Sequence, residues 1–154
     1  MKKDVLSVIG VVAILILLAA YFAFSKSAPQ IGYKPVDLDG GSILVEDQDA
    51  TETVTLDAEL SEPGWITVHF SMSGAPAEVV GVSEYLEAGA YDDMVINLDE
   101  EMTKGWRYIT LLHVDNGDQV FDIEDDLPVS VNGEVVRPSF VSFPSEISDE
   151  ITVE

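Results

Sequence analysis

The chain contains no cysteine in 154 residues. That excludes disulfides, a thiolate metal centre, a blue-copper site and lipid attachment through a cysteine. Basic residues are scarce: seven Lys and Arg stand against 29 Asp and Glu, a formal net charge of −22. From Ser27 onward the balance is four bases minus 28 acids, or −24. Such a body cannot hold nucleic-acid phosphates, which require positive potential. It also disfavours docking on anionic lipid heads. The acids are spread along the chain, so the plain reading is a solvated surface that prevents association. Cation binding, a basic partner and solubility in high salt are the other readings of the charge. No glycine-rich phosphate loop is present, and Ser83 lacks the glycine-flanked elbow of a hydrolase nucleophile. Beyond residue 25 no amphipathic helix of useful length is visible.

What is present begins with Val5–Phe24, a run of twenty residues interrupted only by Ser7 and Gly10. At about 1.5 Å per residue it spans roughly 30 Å, the thickness of a bilayer's hydrocarbon core. Apolar residues cover all faces, so it is not a surface-lying amphipathic helix. Lys2 and Lys3 precede it and Lys26 follows it, which favours a cytoplasmic N-terminus. Tyr21, Phe22 and Phe24 stand where an outer aromatic belt would lie. The expectation is a retained single-pass anchor over residues 1–25, with the lipid bilayer as partner of residues 5–24. A cleaved secretory signal, with Ala23-Phe24-Ser25 as processing site, is the rival. A prepilin-like leader is a third reading. All of these export the remainder. Residues 26–41 read as a stalk containing Pro29, Pro35 and Gly32.

Residues 42–143 then read as one extracytoplasmic domain, followed by an acidic tail over 144–154. Glu52–Leu60 alternates with period two, placing Val54, Leu56, Ala58 and Leu60 on one face. Trp65–Phe70, Val79–Val82, Tyr91–Leu98 and Trp106–Val114 read as further strands, with Ser71–Ala77 as a loop between the first two. Ser42–Glu46 is a short first strand and Asp47–Ala50 a polar turn. Asp115–Asp118 is a tight turn that returns the chain along Val120–Ile123. Val129–Val136 is a hairpin, because Asn132-Gly133 supplies the positive φ angles of a type I′ turn. Phe140–Phe143 closes the series. About seven to nine short strands with frequent turns predict an all-β fold, an immunoglobulin-like or cupredoxin-like β-sandwich behind one transmembrane helix. The Cys–Trp–Cys pattern of true immunoglobulin domains is absent.

His69 and His113 are the chain's two histidines. Both fall near strand ends, where antiparallel pairing could join them. With Asp115 or Asp118 they would make a Cu(II) or Zn site; otherwise they are structural histidines hydrogen-bonded to backbone. Asp115, Asp118 and Asp122, with Glu124 to Asp126 downstream, suggest a calcium loop. Gly117 and Gln119 stand where an EF-hand needs ligands, so that motif is excluded, and a solvated hairpin turn is the alternative. Trp65 and Trp106 read as core or sheet-face residues, or as a carbohydrate platform. Asp92-Asp93 and Asp99–Glu101 could be taken for paired catalytic carboxylates, but they lie in polar turns, where the sequence gives no environment for acid catalysis.

Four ordered blocks carry a resemblance. They are Pro63-Gly64-Trp65-Ile66-Thr67-Val68-His69, then Gly81–Gly89, then Leu111-Leu112-His113-Val114-Asp115 with Gly117, Phe121 and Asp122, then Val131–Val136 with Pro138-Ser139-Phe140. Together they resemble an uncharacterised domain family of archaeal and bacterial surface and exported proteins. The resemblance covers about Thr51–Phe143. It implies a β-sandwich, often anchored or exported and sometimes beside cupredoxin-type domains, and it implies no catalytic residues. Phe121-Asp122 departs from the aromatic pair usual in that family. The functional expectation is a membrane-anchored module for binding, assembly or envelope structure, with no catalysis and no obligatory cofactor. An envelope protein is the expected partner class. The alternative is a surface metal-binding module (Cu, Zn or Ca) built on His69 and His113 or on the Asp115–Asp122 loop.

Overall fold

The computed structural model describes residues 34–144. The anchor expected over residues 5–24 and nearly all of the acidic tail lie outside the described residues. Among the described residues no helix is long and apolar enough to cross a membrane. The described chain is all β, in eleven strands: β1 Val36–Leu38, β2 Ser42–Leu44, β3 Gln48–Asp49, β4 Thr53–Leu60, β5 Gly64–Met72, β6 Ala75–Val82, β7 Gly89–Asn97, β8 Arg107–Val114, β9 Val129–Val131, β10 Glu134–Val135 and β11 Ser139–Phe143.

They form three sheets, ordered β2-β4-β7, β3-β11-β8-β5-β6 and β1-β9-β10. The alternation in β4 buries Val54, Leu56, Ala58 and Leu60 and turns Thr55 and Glu59 outward. Those four, with Ile43 and Ile96, share one hydrophobic core with Ile66, Val68, Tyr108, Leu112 and Phe140 from the five-stranded sheet. Ile66, Val68, Val54 and Phe140 are fully buried. Each contributes about 1.5–3 kcal/mol by leaving water.

The long central strands are buried on both faces. In β5 and β8 the directly paired residues Ile66↔Leu112 and Val68↔Thr110 share one face, and Trp65↔His113, Thr67↔Leu111 and His69↔Ile109 the other. The second set is as deeply buried as the first. Such two-sided burial explains why Trp106–Val114 reads as a near-continuous apolar run rather than an alternating one.

Four segments differ from the sequence expectation. Val36–Leu38, read as stalk, is a strand that pairs in parallel with β9. Asp37 holds it there: its carboxylate accepts from the Ser130 hydroxyl and the Gly133 N–H, both at 2.9 Å. Gln48–Asp49, read as turn, pairs in parallel with the end of β11. Ser71–Ala77, read as a loop, is a tight hairpin around Ser73-Gly74, whose φ angles of 55° and 82° suit a type I′ turn. Pro76 is tolerated because β6 is an edge strand, and two register shifts mark its pairing with β5. Val120–Ile123, read as a returning strand, is loop. Among the strands beyond the expected seven to nine are β1 and β3, of only three and two residues.

Candidate functional site

Antiparallel pairing of β5 with β8 puts His69 and His113 on one face, where the sequence pattern suggested they could meet. Their ring centroids are 6.5 Å apart and the planes nearly parallel, at 19°. Each histidine is 3% exposed. His69 Nδ1 lies 3.0 Å from the Ala77 carbonyl, and His113 Nδ1 lies 2.7 Å from the Asp126 carbonyl. A carbonyl only accepts, so Nδ1 carries the proton in both rings and each Nε2 presents a lone pair. The Thr67 hydroxyl donates to His69 Nε2 at 2.8 Å. His113 Nε2 has no partner; among the described residues it is the buried side-chain polar atom left unpaired. Burial pushes both imidazoles below the ordinary histidine value, against the opposing pull of the carbonyls they face.

Aromatic rings wall this face. Trp65 meets Tyr85 and Phe121 edge-on, at 5.4 and 5.6 Å. Phe121 also stands edge-on to His113 at 5.7 Å. Phe121 thus occupies a covering position, although its segment reads as a strand in the sequence. Trp65 is buried and offers no open platform, whereas Trp106 is 49% exposed and leans on Phe70 at 4.7 Å.

The loop from Asp115 to Pro128 is held by its own acids. Asp115 accepts from Gln119 N, Asp118 from Val120 N and Asp122 from Glu124 N. Asp126, which the sequence offered only as a downstream acid of a calcium loop, is fully buried. Its two carboxylate oxygens accept from Asn116 N at 3.0 Å and Asp122 N at 2.7 Å. One aspartate therefore clasps both limbs of the loop, while its carbonyl anchors His113. Asp115, Asp118 and Asp122 do not join the histidines in one ligand set: no group of three or more His, Asp or Glu is placed to hold a metal among the described residues. The pair Asp92-Asp93 forms a bulge in β7 opposite Asp57, with Asp93 at φ 51° and its N–H on the Asp57 carboxylate at 2.9 Å.

Fold and site together define an all-β domain with a buried histidine pair under an aspartate-clasped loop. The chain belongs to the family described as a domain of unknown function, DUF7282, which matches residues 41–141. It is similar to two proteins of Haloarcula hispanica. It is 40% identical to cell surface glycoprotein 2 over 108 residues, 68% of this chain and 12% of that protein. It is 39% identical to cell surface glycoprotein 1 over 100 residues, 64% of this chain and 11% of that protein. The chain thus spans about an eighth of the length of the curated relatives it matches.

Proposed function

We propose that this protein is a cell-surface module, tethered by residues 5–24 with its N-terminus cytoplasmic, whose outer domain serves envelope structure or assembly rather than catalysis. The observation that carries this reading is the 40% and 39% identity, across most of the folded domain, to two cell surface glycoproteins. The two-sheet core supports a β-sandwich of immunoglobulin-like or cupredoxin-like type, a rigid body suited to repeated use in a surface layer. An outer surface of spread carboxylates supports a domain that stays solvated beside an anionic leaflet. The role needs no reacting group, and the acids of the 115–126 loop are engaged in holding backbone.

Brief protease treatment of intact cells tests the placement. The domain should be released while a cytoplasmic marker stays intact, and protection of the domain until the cells are lysed would overturn the orientation. Asn97, Asn116 and Asn132 are the chain's asparagines, and none precedes a Ser or Thr by two positions. No N-linked glycan is therefore expected on this module itself. Intact-mass measurement of the cell-derived protein should show no hexose added to peptides containing these residues.

A further inference from the structure

We propose that His69 and His113 form a buried two-coordinate site for a monovalent d10 cation, Cu(I), with Ag(I) as its redox-inert equivalent. The case rests on how the two rings are held. Each Nδ1–H is committed to a backbone carbonyl, the arrangement by which proteins orient imidazoles for metals. Those carbonyls lie on opposite flanks. Ala77 belongs to β6, beyond β5, whereas Asp126 precedes Pro128, which bridges His113 on the side of β8 away from β5. His69 Nε2 is thereby turned to Thr67, and His113 Nε2 is turned off the flank on which Asp126 holds Nδ1.

The spacing then selects what fits. A ring nitrogen sits about 1.15 Å from its centroid, so centroids 6.5 Å apart keep the two Nε2 atoms at least about 4.2 Å apart. That is too far for one imidazole to bond the other. At that lower limit two metal–nitrogen bonds of about 2.0–2.1 Å would just close the gap in a line. His113 Nε2 is buried without a protein partner among the described residues, and Phe121, backed by Trp65, stands edge-on to its ring. Linear coordination by two neutral nitrogens satisfies a d10 monovalent ion. Zinc would require further ligands, and no third His, Asp or Glu is placed to supply one among the described residues. Charge points the same way: the desolvation cost of an ion rises with the square of its charge, so a dication held by two neutral rings would cost about four times as much. Occupancy requires the Thr67 hydroxyl to swing off His69 Nε2, and Phe121 to admit the ion.

The test uses the full-length protein in detergent, in chloride-free buffer. Ag(I) is titrated while 15N spectra of the histidine rings are recorded, and anaerobic Cu(I) is titrated in parallel by competition with a chromophoric chelator. One equivalent should bind. Both Nε2 resonances should shift with silver–nitrogen coupling, and thermal denaturation should move upward. His113→Phe, which fills the space with a ring of similar size, should abolish that one-equivalent transition. Asp115→Asn and Asp118→Asn should leave it intact. Zn(II) should neither shift the Nε2 signals nor raise the unfolding temperature. Unmoved Nε2 signals at saturating Ag(I) would sink the proposal and leave a buried water as the partner of His113. Binding that persists in His113→Phe, or that maps only to the exposed thioether of Met72, would do the same. Because the spectra are read on the unmodified protein, a variant that fails to fold does not remove the test.

Discussion

At the scale of single residues, several buried polar groups bear on the stability of this domain. His69 and His113 are neutral inside, with affinities for protons below that of an unfolded histidine. Between the folded values and about 6.5 the unfolded chain binds more protons, so stability falls as pH drops through that window. Each histidine contributes a slope of at most about 1.4 kcal/mol per pH unit. Urea unfolding of the metal-free protein from pH 8 to 5 should show a flat region above about 7 and a decline below it. His113→Phe should roughly halve the decline. Asp126 is the second such residue. Asp126→Asn places an amide N–H against one of two backbone donors and should cost about 1–3 kcal/mol. Hydrogen exchange should report it as faster loss of protection at the Asn116 and Asp122 amides, with β4 unchanged. Gly64 is the third. Its N–H and carbonyl both pair with Leu86 at 2.9 Å, and a Cβ there would collide with the backbone carbonyl of His113. Since backbone cannot yield as a side chain does, Gly64→Ala should cost about 3 kcal/mol or more, measured as a lowered urea midpoint.

At the scale of elements, the legibility of the sequence followed the number of faces a strand buries. β4 and β7 bury one face, and their alternation marks Leu56 and Ile96 as inward in the sequence alone. β9 and β10 are announced by Asn132-Gly133, whose φ angles of 55° and 80° match the turn that pair favours. Gly133→Ala should therefore lower stability by about 1 kcal/mol in equilibrium unfolding, without altering the core. The short strands β1 and β3 escape such reasoning. Two or three residues carry no measurable period, and what recruits them is an edge supplied by β9 or β11, more than ninety residues away in the chain. The 115–128 loop misleads for a related reason. Val120, Phe121 and Ile123 look like a strand, but successive carboxylate caps offer the backbone another set of partners, and Asp126 closes it.

At the scale of the whole molecule, charge sets the behaviour. A net −22 on a chain of this size makes the compact state repel itself, and added salt shortens the range of that repulsion from about 10 Å at 0.1 M to about 3 Å at 1 M. The unfolding temperature should rise by several degrees between 0.1 and 1 M KCl in calorimetry and flatten thereafter. A temperature independent of salt would mean that the carboxylates stand too far apart to interact. The same charge keeps isolated copies apart, which suits a module whose relatives carry it as about an eighth of a much larger surface protein.

Composition and local pattern were enough to determine that this chain has no thiol chemistry, carries a strongly acidic charge, builds its domain from strands, and holds a twenty-residue apolar run ahead of them. These are properties of short windows: a period of two, a turn dipeptide, a sum of charges. Tertiary structure alone decided that β5 and β8 are buried on both faces and that Asp126 clasps a loop. It alone decided that two buried histidines 44 positions apart stand with ring centroids 6.5 Å from each other, one ring nitrogen lacking a partner among the described residues. Each of these depends on register between distant strands, and register emerges only when the sheets close over their common core.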